Sequence, residues 1–135
     1  MKLEFIPLWD VDEHWAEVAP MLEKALSQQA GLSLESVYAD VKRAKYLLWK
    51  IPGKAAFITE IQPFALEKIC MVILCGGDAL DKWLPEAEET LSKHGKALGC
   101  SALVIVGRKG WSKVAPNFEI TDFIMSKALR AQVPS

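Results

Sequence analysis

Two uninterrupted apolar runs, ICMVILC (Ile69–Cys75) and ALVIV (Ala102–Val106), constrain this chain more than any other feature. A strand with one wet face alternates apolar and polar residues. Neither run does, so both read as strands covered on both faces. Between them Ala87, Leu91, His94 and Leu98 recur at helical spacing. Pro85 reads as the first helical residue, with Glu86, Glu88 and Glu89 in the first turns, where the helix dipole favours acids. Gly99 suits the C-terminal cap. A strand, a helix and a strand in that order form a right-handed parallel crossover.

The rest of the chain supplies an antiparallel partner for that crossover. YLLWKI (Tyr46–Ile51) and AAFITEI (Ala55–Ile61) flank Pro52-Gly53. Proline presets the first corner of a turn and glycine takes positive φ at the second, so the two runs form a hairpin. Pro63 is expected to break the second strand. With Ile69–Cys75 the hairpin becomes a three-strand meander. Upstream, Leu3–Leu8 reads as a short strand ending near Pro7. Val11, Trp15, Val18, Leu22 and Leu26 trace one helix face, with a kink or restart expected at Pro20. Ser33 reads as the N-cap of a second helix, with Leu34, Val37, Tyr38 and Val41 on one face. The tail NFEITDFIMSKAL fits either a helix or a strand. The fold class is α/β (α+β) with a mixed sheet, expected as a single domain over 1–135.

Composition narrows the function. Of 135 residues, 51% are hydrophobic and 24% charged, and the net charge is −1. That is a globular composition without the basic excess of a nucleic-acid binder. Cys70, Cys75 and Cys100 lack zinc-like spacing, and His14 and His94 lack paired ligands, so no metal is expected. Free thiols point to a reducing compartment. MKLEFIPLWD has no signal-peptide core, and no apolar run approaches the roughly 20 residues of a membrane span. A cytoplasmic protein with no membrane partner is expected.

The element order, with ICMVILCGG, PEAEETLSKHGKAL and SALVIVG in succession, resembles the GNAT superfamily of acyl-CoA-dependent N-acyltransferases. The segment from Gly99 through GRKGW to the tail is similar to small GNAT-like proteins of phages and prophages. The resemblance implies that the fourth and fifth strands splay apart and that acyl-CoA lies in the opening. The fourth-strand backbone at Ile73, Leu74 and Cys75 would then hold the pantetheine, and Gly76 and Gly77 would lie at the pyrophosphate. Family members carry Q/R-x-x-G-x-G/A there, with backbone amides and a helix N-terminus holding the anion. This chain reads GGDALDKWLPEAEE, so Asp78, Asp81 and the three glutamates are expected to weaken the hold on phosphate. The tyrosine that many members use as general acid is replaced by Lys113.

Glu60 is the candidate general base, removing a proton from an amine so that it can attack. The competing reading is an outward-facing strand residue. Cys75 reads as a buried inert thiol rather than a nucleophile. Arg108 and Lys109, with Lys113, follow the fifth strand, where open α/β sheets place ligands. They read either as contacts to an anion such as a CoA phosphate or as a solvated turn. Two functions stay open. One is acyl transfer from acetyl-CoA or another acyl-CoA to an amine. The other is a non-catalytic phage or prophage binding or assembly protein with a protein partner.

Overall fold

The computed structural model describes residues 2–26, 31–64, 66–78, 80–106, 119–121 and 124–128. The chain divides into two compact units, 1–60 with 73–80, and 61–72 with 81–135. Antiparallel ladders within residues 4–59 and a parallel ladder between 69–72 and 102–105 make the strand pairing mixed.

The first unit opens with β1 (Glu4–Ile6), a short 3-10 turn (Leu8–Asp10), α1 (Val11–Leu26) and α2 (Leu34–Lys42). Its hairpin is β2 (Leu47–Ile51) and β3 (Ala55–Phe64), paired from Ile51↔Ala55 to Leu47↔Thr59. The turn is the expected one: the Lys54 amide donates to the Ile51 carbonyl at 2.9 Å, and Gly53 takes φ 71°. Ser33 caps α2 in a reciprocal box, its hydroxyl accepting from the Ser36 amide at 3.1 Å while Ser36 Oγ accepts from the Ser33 amide at 3.0 Å. Such a cap contributes about 1 kcal/mol. Val18 and Leu22 of α1 and Val37 and Val41 of α2 close on Leu48, Ala56 and Ile58 of the hairpin and Leu74 of β4 in one apolar cluster. Each large side chain buried there stabilises the fold by about 1.5–3 kcal/mol.

The second unit holds the crossover. Part of β4 (Glu67–Gly77) pairs in parallel with β5 (Ala102–Val106), from Ile69↔Ala102 to Val72↔Ile105, as the two apolar runs predict. β5 then pairs antiparallel with β7 (Ile124–Ala128), and β7 with β6 (Glu119–Thr121). The ambiguous tail is thus a strand where it is described. α3 (Leu80–Ala97) buries Trp83, Leu84, Ala87 and Leu91.

Pro63 and Pro85 act differently from the sequence expectation, and at Pro20 the helix does not restart. α1 runs through Pro20, β3 continues past Pro63, and α3 begins at Leu80 with Pro85 inside it. In α3 the buried Trp83 and Leu84 precede the proline, and their packing outweighs the one hydrogen bond it removes. The earlier start moves Glu86, Glu88 and Glu89 beyond the first turn, where the dipole effect fades, and Glu88 is buried. Leu98 is exposed rather than on the inner face.

Candidate functional site

Glu60 and the segment Ile73–Gly77 belong to the same compact unit. Leu74 sits in the α1/α2 core cluster and Ile73 packs against it. Cys75 is half-buried and forms no disulfide. β4 runs through Ile73, Leu74, Cys75, Gly76 and Gly77, and its ladder with β5 is described from Ile69↔Ala102 to Val72↔Ile105.

The glycine pair serves packing. A Cβ on Gly76 would stand 2.0 Å from the Met21 carbonyl oxygen of α1. One on Gly77, whose φ is 151°, would stand 2.3 Å from the Lys54 carbonyl oxygen and 2.7 Å from the Ala55 Cα. Only glycine admits this approach of backbone to backbone. The next amide is also engaged: Asp78 N–H donates to the Lys54 carbonyl at 3.0 Å. The Asp78 carboxylate meets Lys24 Nζ at 3.3 Å, an exposed pair. An amide already donating to a carbonyl is not free to cradle phosphate.

Gly77 ends β4 beside Ala55, which begins β3. Glu60 therefore stands five residues along β3, roughly 17 Å from the glycine pair. That places it level with the Ile73 end of the segment. Glu60 is half-buried. By strand alternation it shares a face with Ala56 and Ile58, which belong to the α1/α2 cluster, so it points to the helix side rather than outward.

The structure adds a residue that sequence reasoning missed. Tyr46 precedes Leu47, whose partner is Thr59, so the hairpin register puts Tyr46 beside Glu60. Tyr46 is buried, and desolvation, with the charges of Glu60 and Asp40, raises its phenol above the ordinary range. A phenol that keeps its proton can serve as a hydrogen-bond donor to a neighbouring carboxylate. Cys70 is no competing nucleophile: burial, with Cys100 nearby, pushes its thiol up to about 12. Arg108, Lys109 and Lys113 lie outside the described residues.

No protein-family model matches the sequence, and no curated protein matches it. Solved structures do match the fold. A GNAT family acetyltransferase from Brucella melitensis, solved with acetyl-CoA, aligns at TM-score 0.63 and 14% identity over 98% of this chain and 90% of that one. N-acetylglutamate synthase from Neisseria gonorrhoeae, with coenzyme A and N-acetyl-glutamate, aligns at 0.59 and 12% identity over 87% of this chain and 33% of that one. PaiA N-acetyltransferase from Thermoplasma acidophilum, with coenzyme A, aligns at 0.50 and 19% identity over 95% and 99%. The fold of this chain is that of the GNAT acetyltransferases. No helix among the described residues is long and apolar enough to cross a membrane.

Proposed function

We propose that residues 1–135 act as one cytoplasmic domain that transfers an acyl group from a pantetheine thioester, carried on acyl-CoA, to an amine. The observation that carries this reading is the parallel pairing of β4, the strand that carries Ile73–Gly77, with β5, in a fold whose solved structural neighbours hold acetyl-CoA or coenzyme A. The pantetheine amides would pair with the backbone of Ile73, Leu74 and Cys75. Glu60 would take the proton of the attacking ammonium, and Tyr46 would hold that carboxylate in place with its retained phenol proton. The amine nitrogen would form the new bond to the acyl carbon as the thioester C–S bond breaks, and the proton that the nitrogen sheds on becoming an amide would go to the departing thiolate. Arg108 and Lys109 would meet the phosphates only as salt-screened pairs that add little to affinity.

The glycine pair and the Asp78 amide are committed to packing, so the pyrophosphate would contribute little to binding. The same observation favours a second reading, a phage or prophage binding protein that kept the fold and binds a protein partner. Incubation with acetyl-CoA and a panel of primary amines, with release of free thiol as the readout, tests the first reading. Amine-dependent thiol release supports transfer. Its absence with every amine favours the second.

A further inference from the structure

A groove of about 550 Å³ runs between α1 and α2, lined by Asp12, Trp15, Ala16, Leu34, Glu35 and Tyr38. Its volume falls within the usual range of small-molecule sites, roughly 300–1,000 Å³. Two aromatic rings form its walls. Trp15 and Tyr38 meet edge to face with centroids 5.0 Å apart. Both are half-buried and also pack against the core cluster, so the walls are held in place before any ligand arrives.

The polar lining is acidic and ordered. The Tyr38 hydroxyl donates to Asp12 Oδ1 at 2.6 Å, and Lys42 Nζ donates to Asp12 Oδ2 at 2.9 Å. With its proton committed to Asp12, the Tyr38 oxygen presents lone pairs to any incoming N–H. Glu35 is exposed on the first turn of α2. Asp12 and Glu35 against Lys42 leave one net negative charge at the groove. An anion is repelled there, and a neutral apolar ligand leaves the exposed Glu35 carboxylate unengaged. A cation with a short hydrocarbon body satisfies both linings, its charge near Glu35 and the phenol oxygen, its body along the indole face.

We propose that the α1/α2 groove is a binding site for a small organic ammonium, a free alkyl diamine or polyamine. The proposal does not depend on acyl transfer, since the groove is defined by helix residues apart from Glu60 and Ile73–Gly77.

The test follows the Trp15 indole N–H and the α2 amides by two-dimensional NMR, with the indole signal assigned through Trp15→Phe. The probes are 1,5-diaminopentane, tetramethylammonium, blocked lysine methylamide and, as an anionic control, glutarate. The proposal expects saturable shifts at these signals with the diamine and none with glutarate. Glu35→Gln, an exposed change, should weaken diamine binding about threefold or more, and Lys42→Met, which leaves Asp12 uncompensated, should tighten it. Equal binding of blocked lysine and diamine would shift the assignment to a peptide side chain and overturn the free-amine proposal. Absence of saturable shifts at millimolar diamine, or affinity unchanged in both Glu35→Gln and Lys42→Met, would also overturn it.

Discussion

Lys50 Nζ donates to Glu17 Oε1 at 2.7 Å, and the same carboxylate accepts the Gly53 amide at 3.0 Å through Oε2. One side chain of α1 thus holds both a strand and the turn of the β2–β3 hairpin. The pair is asymmetric. The Lys50 side chain is 8% exposed and that of Glu17 is 37% exposed.

That asymmetry predicts unequal mutant costs. Glu17→Ala leaves a buried ammonium without its counter-charge and should cost about 2–3 kcal/mol. Lys50→Met removes the buried charge and leaves a carboxylate that water can reach, so it should cost less. Urea unfolding of the two variants checks the order, and a larger loss for Lys50→Met would contradict it.

The same contact has a pH signature. The hydrogen bonds from Lys50 and then Gly53 hold the Glu17 carboxyl below its ordinary value of 4.5. A depressed folded value means stabilisation that is present above the unfolded value and lost as pH falls through the folded one. The stability gap between wild type and Glu17→Gln should be constant from neutral pH down to about 5 and narrow below 4.5. Thermal melts across that range read it directly. A gap that widens in acid would refute the assignment.

Gly76→Ala and Gly77→Ala should each lower stability by more than about 2 kcal/mol, because the new methyl meets backbone rather than a movable side chain. A phosphate-cradling loop open to solvent would tolerate both in the apo protein. Melting temperatures without any ligand distinguish the two, and near-wild-type values would restore the loop to a cofactor role.

Glu60→Gln should reduce amine acylation by about 10²-fold or more if Glu60 is the base. Tyr46→Phe, acting through Glu60, should shift the acid limb of the pH–rate profile with a smaller change in rate. A Tyr46→Phe profile parallel to wild type, lowered only by lost stability, would leave Tyr46 a core residue.

The crossover was readable because continuous apolar runs and the turn at Pro52-Gly53 are local signals, and the parallel pairing of β4 with β5 and the hairpin follow from them. The glycine pair was not, since its cause is the distant carbonyls of Met21 and Lys54. Pro20 and Pro85 read locally as punctuation, yet Val18 and Leu22 around one and Trp83 and Ala87 around the other are buried and hold the helices through. The tail turned on pairing: Ile124–Ala128 matches β5 residue for residue, which periodicity cannot reveal. The Tyr46–Glu60 neighbourhood was within reach. Counting outward from Ile51↔Ala55 across the turn sets 46 opposite 60.

The most direct test of the account is a thermal melt with acetyl-CoA beside one with S-acetyl-pantetheine. The account assigns the ligand's grip to the β4 backbone at Ile73–Cys75 and little of it to phosphate. At a tenfold excess over Kd either ligand should stabilise by about 1.4 kcal/mol, a rise on the order of 5 °C. The predicted result is saturable rises for both, with Kd values within about threefold, a difference of roughly 0.6 kcal/mol. No rise with either ligand, or acetyl-CoA tighter by about a hundredfold, would contradict it.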